Sequence, residues 1–230
     1  MTDAAQARTL LAQQAKSLAA KHRDKLDELK LAAKDLDRPD WLWHALLVSA
    51  STLGSSRGYK GLIENKENYN RVTFDNLAKL PQQGRHLVLG ETLNAAKVRM
   101  AAIKAARLAK NFDCIVQLGG PLAAKQDLLS RNGCAAKIEF LRRFAGVGAK
   151  YSRNIMMDVY HPDFWETIAV DARVKEVSKC LGISFKNNEY EEHERFYLGA
   201  AHEAGIQGWE LDRLIYSFKE EFLRALSIVG

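Results

Sequence analysis

The chain has 230 residues, enough for one large or two small domains with a well-buried core. Its 34 Lys plus Arg against 28 Asp plus Glu leave a formal charge of +6, which favours a polyanionic partner without proving one. No apolar run reaches the roughly 20 residues of a spanning helix, and the first residues lack a signal peptide's apolar core, so the expectation is an intracellular protein with no membrane association. Cys114, Cys134 and Cys180 are odd in number and scattered, which fits reduced thiols rather than a disulfide framework.

Residues 3–37 contain no Gly or Pro, and Leu11, Ala15, Leu18, Leu29, Ala33 and Leu36 repeat at three-to-four spacing within each half. That predicts one long amphipathic helix whose charged face reads as solvated rather than as a binding surface. Arg38-Pro39-Asp40 ends it, because the residue before proline avoids helical angles. Asp40 is then expected to cap a helix from 41 to about 53, apolar nearly all round through Trp41, Leu42, Trp43, Ala45, Leu46, Leu47 and Val48, and therefore buried. The stretch 53–58 (Leu-Gly-Ser-Ser-Arg-Gly) is a small polar break, and 59–72 is ambiguous, with Lys60, Lys66 and Arg71 available for a basic rim. A short helix over 75–80 stops at Pro81, and 82–84 reads as loop.

From 91 to about 111 the pattern predicts one strong helix with Leu93, Ala96, Met100 and Ile103 as its buried stripe. Its basic face (Lys97, Arg99, Lys104, Arg107, Lys110) reads as solvated, with phosphate binding as the alternative. Pro121 starts a helix over 122–131 that Gly133 terminates. Next comes a helix with Ile138, Phe140, Leu141 and Phe144 inward and Arg142 and Arg143 outward. A tight hairpin leads into a helix over 150–160, broken at His161-Pro162-Asp163. Asp171 is expected to cap 172–181, closed by Gly182, and helices over 189–204 and 209 to about 226 complete the chain. With no sustained strand alternation and no repeat, the fold class is all-α, with about ten helices. Alternation of short helices and tight breaks suggests two helical lobes rather than a bundle.

The hairpin is the most informative stretch. Gly146 and Gly148 flank one apolar residue, Val147, so the backbone can turn tightly where φ becomes positive. The helix that follows opens toward the hairpin, an anion site by geometry, and phosphate is the natural anion for so basic a chain. Lys150 stands in that helix's first turn, where the dipole disfavours a cation, and a residue that breaks a local rule is a functional candidate.

Phe-Ala-Gly-Val-Gly-Ala-Lys-Tyr-Ser at 144–152, followed by Ile-Ala-Val-Asp-Ala-Arg-Val at 168–174, resembles the helix-hairpin-helix DNA glycosylase superfamily. That family carries L-P-G-V-G-x-K-x-A and, about twenty residues on, V-D-x-H/R-V. Here Lys150 and Asp171 stand 171 − 150 = 21 positions apart. The departures are Phe144-Ala145 for Leu-Pro and Arg173 where many relatives have His. The resemblance implies two helical lobes flanking a cleft and joined by the helix-hairpin-helix. Residues 41–135 would form the inner lobe, 136–160 the motif, and 1–40 with 161–230 the second lobe.

It further implies a base-excision repair enzyme whose partner is double-stranded DNA containing a damaged base, extruded into a pocket. Lys150 would be the nucleophile at C1′ and pass through a Schiff base to β-elimination, the AP lyase step, while Asp171 would stabilise the cationic sugar. An oxidised base, 8-oxoguanine or an oxidised pyrimidine, would be removed. Gly146, Val147, Gly148 and Arg153 would contact phosphate, and Ser55, Ser56 and Arg57 the minor groove. His161, Phe164 and Trp165 would line the base pocket, or else pack in the core. No cofactor or metal is expected: relatives with an iron–sulfur cluster use four closely spaced cysteines, which this chain cannot supply. A monomer suits an enzyme that scans DNA. Two alternatives stay open: a monofunctional glycosylase in which Asp171 activates water, and a non-catalytic DNA-binding protein using the hairpin as a clamp.

Overall fold

Every regular element is helical among the residues that the computed structural model describes, 4–52, 56–185 and 190–229. In chain order they are α1 (Ala4–Lys21), α2 (Arg23–Lys30), a 3-10 stretch (Leu31–Asp37), α3 (Trp41–Ser51) and α4 (Arg57–Tyr59). A π-helical turn (Lys60–Glu64) leads to α5 (Lys66–Arg71), α6 (Phe74–Ala78), α7 (Gln82–Ala95) and α8 (Ala101–Gln117). Then come α9 (Pro121–Ser130), α10 (Gly133–Leu141), α11 (Ala149–Met157), a 3-10 turn (Pro162–Phe164), α12 (Ala172–Cys180), α13 (Tyr190–Ala204) and α14 (Gly208–Val229). The all-α expectation holds, and no described helix is long and apolar enough to cross a membrane. The chain groups into two compact units, residues 1–34 with 156–230, and residues 35–155. The hairpin therefore belongs with residues 35–155, and the boundary between the units falls inside α11.

In the first unit α1 packs on α13 and α14, and α12 packs on α14. Leu11, Ala15 and Leu18 are buried as the spacing predicts, but the helix does not run on to 37. His22 leaves helical angles (φ −113°, ψ 27°), and its ring stacks on Phe218 with centroids 3.6 Å apart. Phe218 is itself non-helical (φ −128°, ψ 30°) and kinks α14, so one aromatic contact coincides with breaks in two helices that the sequence presents as continuous. Beyond the break only Leu26 is buried in α2; Ala33 is exposed. Arg23 and Lys30 reach Glu210 at 2.6 and 3.2 Å and tie α2 to α14.

In the second unit α3 is buried along most of its length, and Trp43 donates Nε1–H to Val72 O at 2.8 Å. Phe112 meets Trp43 edge-on (5.8 Å) and stacks on Phe74 (4.3 Å), which makes an aromatic core for α3, α6 and α8. Asp40 stands at the cap position of α3 without capping it, because its carboxylate instead forks with Arg38.

The expected helix over 91–111 is two helices. Lys97 and Met100 adopt left-handed φ of 57° and 60° and reverse the chain between α7 and α8, so the stripe read across them changes phase. Leu93 and Ala96 are buried, whereas Met100 and Ile103 are half exposed. Residues 82–84, expected as loop, open α7. Gly61 permits the approach that seats this turn, since a Cβ there would lie 2.3 Å from Ala96 O.

Candidate functional site

The hairpin is built from residues 141–149. Phe144 N donates to Leu141 O and Val147 N to Phe144 O, both at 3.1 Å, and Ser152 N donates to Gly148 O at 3.0 Å to open α11. Gly146 has φ +88°, as a tight turn requires. Gly148 does not share that need: its φ is ordinary, and a Cβ there would meet nothing within 4 Å. Its lack of a side chain leaves open space at the start of α11.

Around the hairpin lies a shallow depression of about 620 Å³ lined by Arg107, Lys110, Arg142 and Arg143 together with 144–148. All four cations are exposed, and no carboxylate is among the lining residues described. A helix start ringed by cations is suited to a polyanion. Arg107 and Lys110, which the sequence leaves on a solvated face, thus share a surface with the hairpin.

Lys150 is half-buried in the first turn of α11, its Nζ 5.1 Å from the Tyr151 ring centroid. Arg153 donates to Ala149 O of its own helix at 3.1 Å. Ser56 and Arg57 are exposed beside the buried Gly58, and Ser55 lies outside the described residues. A smaller cavity of about 180 Å³ lies between α3, α8 and the hairpin, lined in part by Leu46, Lys104, Leu108, Val147 and Tyr151. Lys104 is buried and donates to Ala50 O at 2.6 Å. Burial, then the charges of Arg107 and Arg99, lowers its pKa.

Asp171 belongs to the other unit and is held with equal care. Its Oδ1 accepts Arg173 N (2.7 Å) and Val174 N (3.1 Å), which caps α12 as expected, and its Oδ2 accepts from the Arg173 guanidinium at 3.1 Å. The three residues before it lie outside any helix and meet side chains of α13 and α14. Ile168 N donates to Glu194 at 3.0 Å, Ala169 N to Asp212 at 2.8 Å, and Val170 N to the Tyr190 hydroxyl at 2.9 Å. Burial pushes the Asp212 carboxyl up to about 6, against the opposing pull of Arg213 and the Ala169 amide. The result for Asp171 is a carboxylate held in one orientation by two amides and a guanidinium.

His161 turns inward, its Nδ1 accepting Asp163 N at 3.2 Å. Phe164 is fully buried, a core residue rather than an accessible base-pocket wall. Trp165 is half-buried, stacked on Tyr160 (5.1 Å), with its indole N–H donated to Tyr160 O at 3.3 Å. The residues that the sequence analysis passed over are Asn111, which clasps the hairpin, and Glu194, Asp212 and Tyr190, which hold 168–170. Asn111 had one legible signal: it interrupts the apolar stripe of Leu108, Phe112 and Ile115, the mark of a polar residue facing inward. Among the described residues no cluster of His, Cys, Asp or Glu could hold a metal ion.

No known family model and no curated protein sequence matches the chain. Among solved structures it is similar to the crystal structure of the 8-oxoguanine DNA glycosylase of Methanocaldococcus jannaschii. The TM-score is 0.68 at 15% identity, over 94% of this chain and 96% of that one. At this identity the likeness is one of fold.

Proposed function

We propose that this chain is a DNA glycosylase of base-excision repair with an attached AP lyase step. It acts as a monomer inside the cell on double-stranded DNA holding an oxidised base, 8-oxoguanine or an oxidised pyrimidine. The observation that carries this reading is likeness to a glycosylase fold over 94% of the chain, in a sequence that also holds the hairpin, Lys150 and Asp171 in the superfamily's spacing.

Lys150 attacks C1′ of an extruded nucleotide with the lone pair of its amine, which must first give up its proton, as the bond from C1′ to the base breaks. The base leaves with the bonding pair and takes a proton. Asp171, oriented by the α12 amides, stabilises the positive charge on the sugar. Opening of the sugar ring gives an imine between Lys150 and C1′. Loss of a C2′ proton then expels the 3′ phosphate and cuts the strand. The surface of Arg107, Lys110, Arg142 and Arg143 with the hairpin backbone binds the phosphates and positions the duplex without reading its sequence.

The test is a panel of duplexes, each with one damaged base, incubated with and without borohydride. Base release with a reducible covalent complex, lost in Lys150→Gln, is the expected result. Release without a cross-link would move the attack to water activated by Asp171, and binding without release on any duplex would remove the enzyme reading.

A further inference from the structure

The bond from Val147 N to Phe144 O and the φ of +88° at Gly146 make 144–147 a type II turn, with Ala145 second and Gly146 third. The amide at the second position makes no bond inside such a turn. Proline suits that position, since its fixed φ matches and it has no amide to satisfy. Here the residue is alanine, and its N–H needs an acceptor. Asn111 provides one: its Oδ1 accepts Ala145 N at 2.6 Å, and its Nδ2 donates to Ala145 O at 3.2 Å. Asn111 is 3% exposed, so little water competes for its carboxamide. One helical turn earlier, Arg107 lies across the next residue of the turn; a Cβ on Gly146 would come 3.1 Å from its Cδ. Helix α8 thus holds two consecutive residues of the hairpin.

We propose that Asn111 is the positioning residue of the hairpin, docking the turn on α8 so that the start of α11 and the cations Arg107, Lys110, Arg142 and Arg143 form one phosphate-binding surface. The identity of the ligand rests on the duplex-DNA reading above; the clamp does not. Asn111 and Ala145 are consequently a matched pair. With Asn111 in place, Ala145→Pro puts a ring carbon where the amide hydrogen pointed at Oδ1. Once Asn111 is truncated, the same proline fits and removes the donor that had lost its acceptor.

The experiment compares wild type, Asn111→Ala, Asn111→Asp, Ala145→Pro and the double variant Asn111→Ala/Ala145→Pro. It reads amide exchange at Val147 in the free protein, Kd for a defined duplex at fixed salt, and single-turnover rate at saturating damaged duplex. Asn111→Ala should speed exchange and weaken binding about tenfold while the saturated rate stays within about twofold, since an orphaned buried donor is worth roughly a factor of ten or more. Asn111→Asp keeps the acceptor for Ala145 N but sets an oxygen against Ala145 O where Nδ2 donated, so it should fall short of wild-type protection and binding. The double variant should recover Val147 protection and bind within about threefold of wild type, the non-additivity expected of contacting residues. Losses that simply multiply in the double variant, or an Asn111→Ala protein with unchanged exchange, would overturn the clamp. Rescue of exchange in a protein that binds no duplex would keep the clamp and discard its phosphate-binding role together with the DNA reading.

Discussion

The hairpin at 144–148 and the segment at 168–171 both leave helical geometry, and both must find partners for backbone groups that no helix satisfies. The hairpin uses a neutral carboxamide: Asn111 gives a donor and an acceptor to the same residue, Ala145. The segment at 168–170 uses three side chains from two helices, and two of them, Glu194 and Asp212, are acids. A carboxamide holds its turn equally at every pH, whereas the Asp212 carboxyl, pushed up to about 6 by burial, couples its segment to proton concentration and to the Arg213 guanidinium beside it. One hold is cheap to keep and pH-blind. The other is costly to break and titrates.

The largest effects should come from the residues that each segment presents. Lys150→Gln should abolish strand cleavage and the borohydride cross-link in a gel assay, with duplex Kd within about threefold of wild type, because a positioned nucleophile has no substitute. Asp171→Asn should slow the reaction by about 10²–10⁴-fold. Its stability should hardly move, since Asn caps a helix as well as Asp and the half-exposed Arg173 is worth little as an ion-pair partner. If denaturant midpoints show Asp171→Asn losing as much stability as activity, the carboxylate is only a cap.

Breaking the holds themselves should rank the two segments. Asp212→Leu leaves Ala169 N without its acceptor and takes from the buried Arg213 a partner at 3.2 Å, which should cost about 3–5 kcal/mol in urea unfolding. Asn111→Ala removes only neutral bonds and should cost about 1–3 kcal/mol. The reverse order would mean that the charged network contributes less than its burial suggests.

A smaller, pH-dependent effect sharpens the same contrast. Asp212 titrates near 6 in the folded chain, above the ordinary 3.8, so its contribution is greatest at acid pH and is lost as pH rises through 6. His193, in the same unit, is lowered to about 4 by burial and by Lys175. Its contribution has the opposite sign, present above 6.5 and lost as pH falls toward 4. The two oppose each other between about pH 4 and 6. Asp212→Asn keeps an acceptor for Ala169 but no longer titrates. Chemical unfolding at several pH values should then show stability rising more steeply with pH across that window than in wild type. An unchanged slope would place the titration of Asp212 elsewhere.

Much of the helical framework was legible because its signals are local. Asp171 caps α12, Pro121 opens α9, and α3 is buried as its unbroken apolar composition says. The failures are equally specific. Nothing about Lys97 or Met100 announces a positive φ, which non-glycine residues seldom adopt, so α7 and α8 read as one differently placed helix. His22 and Phe218 each sit within good helical sequence, and only their stacking shows why both depart from it.

Helix periodicity, caps and the glycine turn act between residues at most four or so apart, so the order of amino acids alone was enough for the all-α class, while Lys150 and Asp171 became candidates through the resemblance to a family's paired motif. Which side chains satisfy the two irregular segments was left to packing. Asn111 meets Ala145 across 34 positions, and Asp212 meets Ala169 across 43, separations at which no periodic pattern constrains the pairing. Those partners come together only after the helices dock, when burial makes each unbonded amide expensive and selects the side chain within reach.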